Sequence, residues 1–156
     1  MFYKITTLFL LLSSVQATQF SITGPCSKKP VFKTQVNTVN TNVGELSVRV
    51  FDENQIQHLS SDYGVSQLMN SPIGIDSMEI LSDTVMRAHG WCYSVDGEVP
   101  ELLMNEVKLN GNESEINWFM GYSTYIGDPQ TGEHQWVGQC EPTHLLEVNP
   151  FPQYCN

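Results

Sequence analysis

Four groups of side chains in this 156-residue chain have the types and spacings that chemistry requires. His89 and Cys92 offer a base and a thiol three positions apart, the makings of a cysteine nucleophile. With Cys140 and His144 the same two residues make His-x-x-Cys and Cys-x-x-x-His spacings that can ligate zinc. Asp96 and Glu98 share a strand parity and mimic the carboxylate pair of acid–base catalysis. Asp128 to Glu133 gathers oxygen ligands in one loop. Each group has a competing explanation. Three positions is an odd separation, so a strand would put His89 and Cys92 on opposite faces. Asp96 precedes Gly97, and Asp-Gly is a tight-turn dipeptide because both residues tolerate positive φ. The 128–133 loop lacks the acidic positions that a calcium loop needs at fixed offsets. There is no Cys-x-x-Cys knuckle, nucleophile elbow or glycine-rich phosphate loop. The sequence thus predicts no catalytic residue, no metal site and no cofactor.

The cysteines have a simpler use. Met1 to Ala17 reads as a secretory signal peptide, with Lys4 as the positive start, Leu8-Phe9-Leu10-Leu11-Leu12 as the apolar centre and Val15-Gln16-Ala17 before the cleavage point. The apolar stretch is about half the length that a membrane-spanning helix needs. The expectation is a soluble exported protein, secreted or periplasmic, with no membrane span after cleavage. Export places Cys26, Cys92, Cys140 and Cys155 in an oxidising compartment, where an even set implies two disulfides. Of three connectivities, Cys92–Cys140 with Cys26–Cys155 is favoured, since the first ties two β-segments and the second fastens the termini. The zinc reading is the weaker one in that compartment.

Charge narrows the partners. Seven basic residues stand against 17 acidic ones, a formal charge of −10, and loss of Lys4 with the signal makes it −11. Phosphate binding needs clustered Lys and Arg, so nucleic acid is excluded as a partner and anionic lipid disfavoured. From Gly90 onward Lys108 is the only base among ten carboxylates. That pattern reads as a solvated acidic surface before it reads as a site for a cation.

The elements that would carry these residues form an α+β unit. An irregular lead-in over 18–30 precedes a hairpin of Val31–Val39 and Glu45–Phe51, in which Leu46, Val48 and Val50 alternate. Asp52 with Gln55 three residues on predicts a short or broken helix between 53 and 70, ended by Ser71-Pro72. Ile73–Ser82 resumes β character. In His89–Val95, Trp91, Tyr93 and Val95 share one strand face, with Cys92 and Ser94 on the other. Val107–Leu109 and Glu115–Phe119 make a hairpin about Asn110-Gly111-Asn112, and Tyr122–Ile126 with Gln135–Cys140 make another. Asn112-Glu113-Ser114 is a formal N-glycosylation acceptor on the first of these turns.

Gly90, Trp91, Tyr93, Asp96, Gly97, Pro100, Leu109, Gly111, Ile116 and Trp118 together form an ordered pattern: Gly-Trp-x-Tyr-x-x-Asp-Gly, a Pro loop, a Gly turn and an alternating strand ending in Trp. Over 31–122 the chain thereby resembles the transcobalamin C-terminal-like domain, a secreted family of unknown function. The resemblance implies a β-grasp-like mixed sheet with one short helix, to which 123–156 adds a C-terminal β-hairpin and a stapled tail. In the animal cobalamin carriers the related domain closes over the corrin ring beside a large helical domain, which this chain has no room for. No cobalamin-contacting residue maps onto the sequence. Trp91 and Trp118 are read as core, since large aromatics dominate the core of a small sheet. Tyr122, Tyr125 and Trp136, flanking the added hairpin, are the expected ligand surface. The functional expectation is a non-enzymatic exported binding or interaction module for a small molecule or an extracellular protein. The alternatives are a secreted hydrolase with a Glu/Asp/His site and a structural envelope protein.

Overall fold

The computed structural model describes residues 17–155. The expected signal peptide, apart from Ala17, lies outside these residues. Ten strands and one α-helix follow in chain order: β1 (Thr18–Thr23), β2 (Phe32–Val36), β3 (Thr41–Asn42), α1 (Val43–Glu53), β4 (His58–Ser60), β5 (Val65–Leu68), β6 (Met78–Ile80), β7 (Val85–Val95), β8 (Lys108–Leu109), β9 (Glu115–Gly127) and β10 (His134–Pro142). The class is α+β, mostly sheet, with two disulfides.

The main sheet runs β2-β1-β9-β7-β6, with β10 also on β9. β1 lies parallel to β9 and every other pairing in this sheet is antiparallel. At 13 residues β9 is long enough to hold β1 along its first half and β10 along its second, while β7 pairs with it from Val95↔Ile116 to Val85↔Ile126. It runs unbroken across Tyr122, so the C-terminal hairpin is built on the second half of the central strand.

Four expectations are corrected. Val107–Leu109 and Glu115–Phe119 do not pair as a hairpin: β8 pairs with β3, and β9 with β1, β7 and β10. Residues 18–23 form a buried strand, not an irregular lead-in; Phe20 and Ile22 alternate into the core, both fully buried. Glu45–Phe51 lies within α1, not a strand. Its Leu46, Val48 and Val50 fit a period of two, but Val43, Leu46, Ser47, Val50 and Phe51 also recur at helical spacing, and these are the residues buried. Asn42 starts the helix, its side-chain oxygen accepting from the Glu45 N–H at 2.9 Å. Asp52 therefore stands in the last turn, and Gln55, at φ 55°, leaves the helix through the left-handed region. The stretch 53–70 beyond that exit is mainly the β4–β5 hairpin, not a helix. Each of its strands is too short for periodicity to separate the two structures.

α1 packs on one face of the sheet. Val43, Leu46, Val50 and Phe51 meet Phe20, Ile22, Ile116 and Trp118, and Trp91, Tyr93 and Val95 pack against the same cluster as one strand face. Trp118 is 1% exposed and donates its indole N–H to Ser47 Oγ at 2.9 Å, tying sheet to helix. Trp91 donates likewise to Ser71 Oγ at 2.7 Å. Gly44 admits the 61–64 loop against the first helical turn, since a Cβ there would collide with the Asp62 carbonyl. The opposite face of the sheet carries Cys92, Gly121, Ser123, Tyr125 and Trp136 by strand alternation.

Candidate functional site

The four sequence-level chemical groups come apart in the structure. Cys92 is bonded to Cys140, and Cys26 to Cys155. The thiolates needed by a nucleophile or a zinc site are consumed, and among the described residues no cluster of three or more His, Cys, Asp or Glu could hold a metal. His89 sits on the other face from Cys92, its Nδ1 3.0 Å from Thr143 Oγ1.

Asp96 is a turn residue. At φ 51°, followed by Gly97 at φ 85°, it turns the chain after β7. Its Oδ1 accepts from the Ser114 hydroxyl at 2.6 Å and from the Ser114 and Glu115 N–H groups at 2.8 and 2.9 Å. The Ser114 hydroxyl first, then these backbone donors, hold its carboxyl below the ordinary range. Glu98 forms a single backbone bridge to Val95. Asp128 folds its own loop, accepting from Gln130 N–H at 2.8 Å.

Two titratable groups are buried in roles other than those their sequence context offers, Glu113 and His89. Burial pushes the Glu113 carboxyl up, but donors including the Asn110 and Gly111 N–H groups, at 2.8 and 3.0 Å, outweigh it and hold the group low. This carboxylate shapes the turn over residues 110–113. His89 lies between the Phe151 and Tyr122 rings, at 4.8 and 5.5 Å. Burial lowers its pKa despite Glu79, whose Oε2 is 3.5 Å from His89 Nε2 and 3.1 Å from Arg87 Nη1.

The expected aromatic surface divides by strand parity. Tyr125 and Trp136 are cross-strand partners, their rings 5.3 Å apart and nearly edge to face, and His134 stacks on Tyr125 at 5.5 Å. Tyr122, an odd step from Tyr125, projects to the opposite face, where Arg87 lies 5.2 Å over its ring. Trp136 remains 53% exposed. It lines, with Gln139 of β10, a groove of about 480 Å³ whose floor is Ala88 to Cys92 of β7 and Gly121, Tyr122 and Ser123 of β9. The β10 bulge between Val137 and Glu141, with Gly138 and Cys140 at positive φ, lies at the disulfide.

No family model, curated protein or solved structure matches this chain. The site is therefore argued from its own geometry. A small-residue floor, one braced indole and two uncharged polar side chains make a surface for binding. Sequence reasoning missed Gly90, Ser123, Gln139 and His134. Parity alone pairs Ser123 with Tyr125 and separates Tyr122, but only the register places Gly90 and Ala88 beside them.

Proposed function

We propose that this chain is an exported, non-enzymatic binding module whose ligand lies in the groove beneath Trp136. The observation that carries the reading is a half-exposed indole, braced edge-on by Tyr125, above a floor of Ala88, Gly90 and Gly121. Exposed aromatics at concave, mostly apolar surfaces are the usual anchors of recognition. Two disulfides suit an oxidising compartment. Among the described residues no helix is long and apolar enough to cross a membrane. The β-grasp-like and transcobalamin-like reading is supported by one helix across a mixed sheet with a central parallel pair, and by the positions of Trp91, Tyr93 and Trp118 on the helix-bearing face.

The test is a thermal-shift screen of oxidised, signal-free protein against corrinoids, organic cations, aromatic compounds and sugars, beside a panel of generic hydrolase substrates. A ligand that binds the native state alone raises stability by about 2.7 kcal/mol at a hundredfold excess over its Kd. A dose-dependent shift abolished by Trp136→Ala supports the module. Hydrolysis that survives Trp136→Ala and is lost in Glu98→Ala overturns it in favour of an enzyme.

A further inference from the structure

Gly90 has no structural reason to be glycine. It sits inside the 11-residue β7, where it pairs with Gly121 of β9 while β6 reaches only Met86–Ala88 on the other side, and its backbone is not left-handed. A Cβ built on it meets nothing within 4 Å. Glycine weakens a strand interior and marks places where a ligand or another backbone approaches closely. Here no other backbone approaches. The space above Gly90 is the groove itself.

The lining shows what that space suits. None of its residues is Asp, Glu, Lys or Arg. Asp128 and Glu133 line a separate hollow with Ile126 and Gln135. A cation would find no carboxylate partner in the groove, and an anion would meet a protein of charge −10. His89, Trp91 and Tyr122 also line the groove, but by strand parity their side chains belong to the other face of the sheet, so this face presents a flat indole, a hydroxyl on Ser123 and an amide on Gln139. An indole face takes an apolar ring face, while a hydroxyl and a primary amide both donate and accept hydrogen bonds. We propose that the groove binds a neutral saccharide, one ring lying over Gly90 with its C–H face on Trp136 and its hydroxyl rim toward Ser123 and Gln139. This inference rests on the binding-module reading and names its ligand class.

Oxidised, signal-free protein is titrated with the neutral oligosaccharides cellotriose, maltotriose, mannotriose and chitotriose, followed by tryptophan fluorescence and amide chemical shifts. Phenyltrimethylammonium serves as the cationic comparison. The expected result is saturable binding of at least one trisaccharide, with shifts at Gly90, Ser123 and Trp136. Affinity should fall at least about tenfold, a loss of 1.4 kcal/mol, in both Trp136→Ala and Gly90→Val. Gly90→Val places a strand-favouring side chain in open space, so its urea midpoint should not fall. Ser123→Ala provides a second, milder variant, expected to weaken binding without loss of fold. Binding that Gly90→Val leaves intact overturns the proposal, as does silence from all four sugars. If phenyltrimethylammonium alone binds and Gly90→Val blocks it, the saccharide class falls while the binding module stands.

Discussion

Gly90 on β7 and Gly121 on β9 face each other across the central strand pair, and they are glycines for different reasons. A Cβ on Gly121 would lie 2.9 Å from Cys92 Sγ and 3.2 Å from Cys140 Cα, whereas one on Gly90 would meet only open groove. The two alanine variants should therefore diverge. Gly121→Ala forces the disulfide and the β10 bulge apart and should cost about 1–3 kcal/mol, as overpacking does. Gly90→Ala should be neutral or gain up to about 1 kcal/mol. Urea denaturation of both proteins measures the difference, and equal losses would contradict the assignment.

The Trp118–Ser47 hydrogen bond should be worth more than its length suggests. Both residues are buried, so Ser47→Ala leaves the indole N–H without a partner away from water. The expected cost is about 1–3 kcal/mol. Trp118→Phe combined with Ser47→Ala should cost less than the sum of the single changes, which a double-mutant cycle measures.

The acid limb of stability should have two steps. Folding lowers the His89 pKa below its ordinary 6.5, so the unfolded chain binds the proton first and stability falls as pH drops from 6.5. Glu113 is held below its ordinary 4.5 when folded, so its contribution is full above that value and lost as pH falls through the folded one. His89→Gln should reduce the first step, which His144 shares, and Glu113→Gln the second, which Asp96 and Asp128 share. Stability measured against pH for the two variants separates them; an unchanged limb in both would contradict this reading.

The disulfides should fail differently. Cys26–Cys155 spans 129 residues and closes the termini, while Cys92–Cys140 spans 48 and pins β10 beside the groove. Replacing either pair with serine should cost about 2–5 kcal/mol. Only loss of Cys92–Cys140 should also change the environment of Trp136, because the bulge that follows Val137 is tied there. Indole fluorescence of the two serine double variants reads this directly.

By itself the sequence determined the alternation of Trp91, Tyr93 and Val95 toward one face and the Asp96-Gly97 turn, and it favoured, without deciding, the disulfide pairing that the structure holds. Strand parity and turn chemistry are local, so they survive without knowledge of the partners. It also contained, unread, the parity that turns the Tyr122 side chain to the face opposite Tyr125 and Trp136. Tertiary structure decided the rest. Glu45–Phe51 fits both a strand and a helix, and burial of Val43, Leu46, Val50 and Phe51 against Phe20 and Trp118 selects the helix. Thr18–Thr23 becomes a central strand only because β9 offers it a parallel edge. Gly90 lies 46 residues before Trp136 in the chain, and only the β7–β9–β10 register places them in one groove. Pairing across strands is non-local, so no spacing within one segment could have shown it.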